Sequence, residues 1–234
     1  MIEFHDVSRS RGGRTILDHV DFRAAPGRIT GFVGPNGAGK TSSLRILLGL
    51  DRNHTGTATV CGQHYATLKR PLTVVGASLG GSGAHPARRA VAHLRWVAAS
   101  NSIPQSRVAQ VLDEVGLGRA ARQRVRTYSL GMAQRLGIAA ALLGEPEVLV
   151  LDEPINGLDP EGIRWLRQLL RRHAACGGTV LLSSHVMAEL AEVADDVVVI
   201  ADGTIRATGT MAEVTAGHAS LEDAYFALTT GGAR

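Results

Sequence analysis

The eight residues GPNGAGKT, Gly34 to Thr41, constrain this chain more than any other stretch. They fit the spacing G-x-x-x-x-G-K-[ST], follow a run of apolar and β-branched residues, Ile29 to Val33, and open a helical pattern, Thr41 to Leu48. A strand, a glycine-rich turn and a helix N-terminus in that order turn backbone N–H groups inward around an anion, and the helix end adds positive potential. Gly34, Pro35, Asn36, Gly37, Ala38, Gly39, Lys40, Thr41 and Ser42 are therefore candidate phosphate-binding residues. Lys40 is expected to reach the outer phosphates and Thr41 to offer its hydroxyl to Mg²⁺. A bare glycine-rich turn is the bland alternative, and the register of strand, loop, lysine and helix argues against it. The lysine also stands out chemically: of 25 Lys and Arg residues, only Lys40 and Lys69 are lysine.

The rest of the chain repeats the strand and helix alternation. Strand-like runs are expected at Thr57 to Val60, Leu72 to Ala77, Val148 to Leu151, Thr179 to Ser183 and Val197 to Ala201. Helical patterns at Glu161 to Ala175 and Met187 to Ala194 follow two of them, which predicts a mainly parallel α/β sheet. Between Gly80 and Gly144 only helical patterns occur, at Arg88 to Ala99, Val108 to Val115 and Leu130 to Leu143. That region reads as a helical insertion, opened by GGSG at 80–83 and closed by GEP at 144–146. The 234 residues suffice for one or at most two compact domains.

Composition excludes several functions. The net charge of +4 comes from scattered basic residues with no block of like charge, so a solvated surface is expected rather than a nucleic-acid face. Cys61 and Cys176 lack CxxC or Cys/His spacing, which indicates neither a zinc site nor a disulfide framework and makes a reducing compartment the default. The longest apolar run, around Leu136 to Gly144, is short of the roughly 18 to 20 residues a membrane span needs. Glu3 and Asp6 stand where a signal peptide would carry positive charge.

Two further stretches carry chemistry. VLVLDEP, Val148 to Pro154, is a buried strand ending in adjacent carboxylates, and burying such charge makes sense only beside a cation or a proton partner. Asp152 is expected to hold Mg²⁺ through its water shell, and Glu153 to orient and deprotonate a water in line with a γ-phosphate. A solvated strand end is the alternative for an isolated Asp-Glu pair. His185 closes the apolar strand TVLLSSH; at the C-terminal end of a parallel strand it lies on the rim where ligands of such sheets gather. A lone histidine there is otherwise a surface or core residue.

YSLGMAQR, Tyr128 to Arg135, places Ser129 as an N-cap ahead of a helix whose first free N–H groups would face an anion. The phosphate loop, a helical insertion with YSLGMAQRL, then LDEP, NGLDP and SSH in that order resemble the nucleotide-binding subunit of ABC transporters. The resemblance covers about Ile2 to Thr229. It implies a phosphate-loop NTPase core on a mainly parallel sheet, with an N-terminal antiparallel β part and a helical insertion. Residues 1–79 and 144–212 would form the nucleotide-binding core, 80–143 the helical subdomain with the signature, and 213–234 a short C-terminal helical tail. It further implies ATP and Mg²⁺ as ligands, with Glu153 and His185 catalytic. Ser129 and Gly131 would cap a γ-phosphate held by a second subunit, and Asn156 to Asp159 would lie along that dimer interface. The implied partners are a second copy of the chain and separate membrane-spanning permease subunits, which would hold it on the cytoplasmic side of the membrane.

Three departures from the family pattern are visible. Leu130 replaces the first of two glycines that usually follow the serine, a version similar to the branch serving drug and antibiotic exporters. Arg11 stands where the family has an adenine-stacking aromatic, so that a guanidinium plane would have to stack. Gly80 stands where the family has a glutamine or an acid that touches Mg²⁺ and the attacking water, a contact glycine cannot make. Two other readings accompany the transporter subunit: a nucleotide-sensing regulator with little hydrolysis, motivated by Gly80 and Arg11, and a soluble ABC ATPase acting on DNA or ribosomes. Trp96 and Trp165 are expected to be packing residues, His85 a surface histidine, and LEDAYFALT at 221–229 an amphipathic helix docked on the core.

Overall fold

A computed structural model describes residues 1–230. The first elements are β1 (Ile2–Arg11), β2 (Arg14–Ala24), β3 (Ile29–Val33), α1 (Lys40–Leu47) and β4 (Thr55–Val60). Next come α2 (Pro71–Val74), β5 (Val75–Ser78), α3 (Ala90–Ser100), α4 (Ser106–Glu114), α5 (Leu130–Leu142), β6 (Val148–Asp152) and α6 (Pro160–Ala175). The last are β7 (Thr179–Ser184), α7 (Met187–Ala191), β8 (Asp196–Ala201), β9 (Thr204–Thr210), α8 (Met211–Val214) and α9 (Leu221–Thr230). The α/β class with an antiparallel N-terminal sheet and mostly parallel strands elsewhere agrees with the sequence. Of the expected tail, residues 231–234 lie outside the described residues.

The chain divides into two compact units, Met1–Leu68 with Leu170 onward, and Lys69–Leu169. In the first, β1 pairs antiparallel with both β2 and β4, and the β1–β2 hairpin turns through Gly12 and Gly13, both at positive φ. β3 is buried throughout and runs parallel to β7 (Ile29↔Val180, Val33↔Ser184) and to β8, with β9 antiparallel on β8. Phe4 stacks on Phe22 at 4.4 Å between ring centres and Phe22 meets Phe32 at 5.1 Å, which packs the antiparallel sheet onto β3. Arg28 grips Asp196 through Nε (2.5 Å) and Nη2 (2.6 Å), tying the start of β3 to the start of β8. Leu44 and Leu47 of α1 are buried, so the helix that follows the phosphate loop is fixed by its apolar face.

In the second unit β5 and β6 are parallel (Val75↔Val148, Ser78↔Leu151), and α5 lies on β5. The approach is close because Gly76 has no side chain: a Cβ there would stand 2.1 Å from the Ala141 carbonyl oxygen. Leu94 and Ala98 of α3, Val108 and Val111 of α4, and Leu136 and Ile138 of α5 form its apolar centre. This unit contains the helices of 80–143 together with β5 and β6.

Three local expectations are corrected. The run Leu72 to Ala77 is not one strand: Pro71 at the first helical position starts a single turn, Pro71–Val74, and the strand begins at Val75. The helix from Met187 ends at Ala191, since the chain must reach β8 at Asp196. Trp96 is 58% exposed, with the Arg88 guanidinium 5.2 Å above its ring; α3 turns His93 and Leu94, not Trp96, inward. Trp165 does pack, half-buried under the Arg135 guanidinium at 4.6 Å, with its Nε1–H donated to the Glu114 carbonyl at 3.1 Å.

His93 is buried, and its Nδ1 has no hydrogen-bond partner among the described residues. Burial first, and the Arg88 charge second, hold its imidazole below the ordinary 6.5. The fold therefore accommodates the neutral ring. The unfolded chain takes up a proton near the ordinary value, so this contribution to stability is complete above about pH 6.5 and is lost as pH falls below it. Melting temperatures measured at about pH 8 and about pH 5.5 should fall less for His93→Phe than for the parent. An equal fall in both proteins would assign the acid sensitivity to other groups.

Candidate functional site

The phosphate loop joins the end of β3 to the start of α1 within the first unit. Gly39 caps α1 at φ 113, a conformation in which a side chain is strained, and a Cβ there would stand 2.5 Å from Leu17 Cδ2. Gly34 is required for space: its Cβ would stand 2.3 Å from the Ile200 carbonyl oxygen. The Ala38 N–H donates to the Pro35 carbonyl at 3.2 Å, closing the turn, and Ser43 Oγ donates to the Gly39 carbonyl at 3.1 Å. Lys40 is only 6% exposed, and its Nζ donates to the carbonyls of Gly34 (2.5 Å) and Pro35 (3.3 Å), which folds the lysine back across the loop. Asn36, Gly37 and Thr41 are exposed, and Ser42 is half-buried.

His185 follows the last residue of β7 and is exposed. With Gly34, Pro35 and Asn36 it lines a cavity of about 530 Å³, so the fold brings the histidine and the phosphate loop to one opening. The far wall of this cavity comes from α9, through Glu222, Tyr225 and Phe226. Leu221, Ala224 and Tyr225 bury the inner face of that helix, as its amphipathic pattern predicts, and leave Phe226 52% exposed. That the tail borders the phosphate loop was not legible in its sequence. Arg11 sits exposed at the tip of the β1–β2 hairpin.

In the second unit, Asp152 ends β6 and is 6% exposed, while Glu153 is half-buried just beyond it. Glu153 adopts φ 50, a left-handed conformation uncommon for a residue with a side chain. Its carbonyl accepts the Asn156 N–H at 3.2 Å, which folds LDEP back into the turn of NGLDP. Asp159 caps α6, its Oδ1 accepting the Gly162 N–H at 2.8 Å.

Ser129 caps α5, its Oγ accepting the Met132 N–H at 3.2 Å, and it is exposed. Gly131 lies against Gly157: a Cβ on Gly131 would stand 2.9 Å from the Gly157 carbonyl oxygen. Leu130, 65% exposed, covers Gly157 in turn, so SLG and NGL form one continuous surface of this unit. Gly80 and Gly81 follow β5 at φ 92 and φ 62. A Cβ on Gly80 would meet nothing within 4 Å, so space is available there and the backbone conformation is what favours glycine. Gln134 of α5, which the sequence did not mark as functional, is buried between this loop and Glu153. Its only sequence signal is an amide which, with Arg135 beside it, interrupts a helix of apolar residues and glycine.

A glycine-built anion loop with an inward lysine at a helix N-terminus defines a nucleotide-phosphate-binding protein of the phosphate-loop class. The chain belongs to the ABC transporter family, whose sequence profile matches residues 17–156, from β2 past Glu153. The lantibiotic transport ATP-binding protein SrtF of Streptococcus pyogenes is 35% identical over 205 residues, covering 88% of this chain and 89% of that protein. The bacitracin transport ATP-binding protein BcrA of Bacillus licheniformis is 36% identical over 208 residues, covering 88% of this chain and 68% of that protein. A solved structure of an ATP-binding subunit of an ABC transporter has a TM-score of 0.88 and 27% identity, covering 98% and 99% of the two chains. No helix among the described residues is long and apolar enough to cross a membrane.

Proposed function

We propose that this chain hydrolyses ATP as one of two nucleotide-binding subunits that drive separate permease subunits, exporting an antibiotic or similar amphipathic compound from the cytoplasmic side of the membrane. The observation that carries the reading is the phosphate loop, in which Gly34 and Gly39 exclude side chains and Lys40 lies folded across the backbone. The export assignment is supported by the lantibiotic and bacitracin relatives. Gly34 to Ser42 bind the phosphates of ATP through backbone N–H groups and Lys40.

The donor set fits Mg²⁺, a hard cation that keeps most of its waters and takes one or two protein oxygens. Thr41 would offer its exposed hydroxyl to the ion and Asp152 would hold it through its water shell, and the ion would supply positive charge to the phosphates. Glu153 orients a water and takes its proton as the water oxygen bonds to the γ-phosphorus. The bond from that phosphorus to the β,γ-bridging oxygen breaks, leaving ADP and inorganic phosphate. His185 steadies the γ-phosphate at the rim of the loop. Ser129 and Gly131 cap the phosphate held by the partner copy, Asp159 lies along the dimer interface, and Arg11 stacks on adenine. An isologous pair supplies both faces of two such sites.

The mass in solution of Glu153→Gln, with and without MgATP, tests the assembly. A shift from monomer to dimer that an added Ser129→Arg abolishes is the expected result. ATP bound with no shift would support the second reading, a nucleotide-sensing regulator. Gly80 favours that reading, because glycine cannot touch the water or the ion.

A further inference from the structure

We infer that Gln134 is a positioning residue for Glu153, joining the helix that begins at Ser129 and the Gly80–Gly81 loop to the peptide that carries the catalytic carboxylate. The inference rests on Glu153 taking the proton of the attacking water. Gln134 is 3% exposed, and a buried amide is costly unless both its ends are bonded. Its Oε1 accepts the Gly81 N–H at 3.2 Å. That bond decides the orientation of the amide, because only a carbonyl oxygen can face an N–H. The NH₂ end is then turned to the Glu153 carbonyl at 3.5 Å, a long contact that supplements the Asn156 N–H on the same oxygen.

Each end of this bridge is a backbone segment whose conformation the local sequence does not fix by itself. Glu153 stands at φ 50 without being glycine, and the direction of its carboxylate depends on that peptide being held. Gly80 and Gly81 are both left-handed, and two adjacent glycines leave a loop with many alternatives. The helix approaches this loop in direct backbone contact, since a Cβ on Gly137 would stand 2.2 Å from the Gly81 carbonyl oxygen. Gly80 has no side chain, and the Gln134 amide provides a side-chain link from this loop to the peptide of Glu153.

Steady-state ATP hydrolysis and ATP binding by the parent, Glu153→Gln, Gln134→Leu and Gln134→Glu test this. Gln134→Leu keeps the bulk and removes both bonds; its kcat should fall at least about tenfold with KM and ATP affinity within about twofold of the parent. In Gln134→Glu the ionised carboxylate still accepts from Gly81 but cannot donate to Glu153, whereas the protonated acid can do both. Burial favours the neutral acid, so the ratio of its kcat to the parent's should rise as pH is lowered from about 8 to about 6, while the ratio for Gln134→Leu stays flat. A parent-like kcat in Gln134→Leu, or a flat ratio in Gln134→Glu, overturns the inference. Should Gln134→Leu not fold, the pH ratio decides alone. A parent no faster than Glu153→Gln removes the role of Glu153 and this inference with it, whereas an active parent with an inactive Glu153→Gln and unaffected Gln134 variants removes this inference only.

Discussion

Glu153→Gln should lower the ATP turnover number by about 10²- to 10⁴-fold, the range for loss of a general base, and leave ATP affinity unchanged. Glutamine keeps the size and the hydrogen-bonding reach of glutamate but cannot take a proton at neutral pH. The backbone demand is met equally by both residues, so the φ of 50 is retained and the fold is not at issue. A single-turnover measurement with the protein in excess separates the chemical step from product release. If the variant cleaves ATP as fast as the parent in that measurement, another group takes the proton and the assignment of Glu153 fails. Asp152→Asn is the companion substitution: Asp152 is 6% exposed at the end of β6, and loss of its charge should weaken the Mg²⁺ dependence of ATP binding.

The second large effect is expected from Gly39→Ala. At φ 113 a side chain is strained, at a cost of about 1–3 kcal/mol, and the added Cβ would also stand 2.5 Å from Leu17 Cδ2 and 3.2 Å from the Ile16 carbonyl oxygen. Leu17 is fully buried, so little room exists for it to yield, and the loop must move instead. Gly39 is the residue from which α1 starts, and moving it redirects the first N–H groups of the helix and the base of Lys40. ATP affinity measured by calorimetry should fall about 100-fold or more, the equivalent of about 2.7 kcal/mol, with a lower melting temperature. Gly37→Ala is the contrast, because a Cβ there meets nothing within 4 Å and only the φ of 84 opposes it. Equal binding by the parent and Gly39→Ala would mean that the loop does not cradle the phosphates through this backbone.

The elements that were legible in the sequence are those whose signal is local. GPNGAGKT combines a strand end, two sterically required glycines and a helix start within one short stretch, and the structure builds the turn there. Ser129 is legible for the same reason, since an N-cap serine bonds the backbone three residues ahead. The strands β3, β6 and β7 are buried throughout and read as short, largely apolar and β-branched runs, as expected of strands covered on both faces. Where the local signal is shared by two structures, the reading failed: Leu72 to Ala77 is apolar enough for a strand, and Pro71 turned its first half into helix.

Asp159 shows a different limit. The family resemblance implies a place at an interface, and the hydrogen bond to Gly162 shows that the same carboxylate caps α6. One residue can serve both ends, and spacing does not distinguish them. Trp96 shows the reverse error. A tryptophan in a helical pattern is ordinarily buried, but on α3 the inward positions belong to Ala90, His93, Leu94 and Ala98.

The class of fold, the phosphate loop, the capped helix and the order of the motifs could all be read along the chain, because each depends on residues within a few positions of one another. Folding in three dimensions was needed to bring His185 and the tail helix to one cavity with the loop, to lay Leu130 over Gly157, and to span Gly81 and Glu153 with Gln134. Those contacts join segments tens of residues apart. They are selected by which buried groups can satisfy one another once the core has closed, and periodicity along the chain carries no record of that choice.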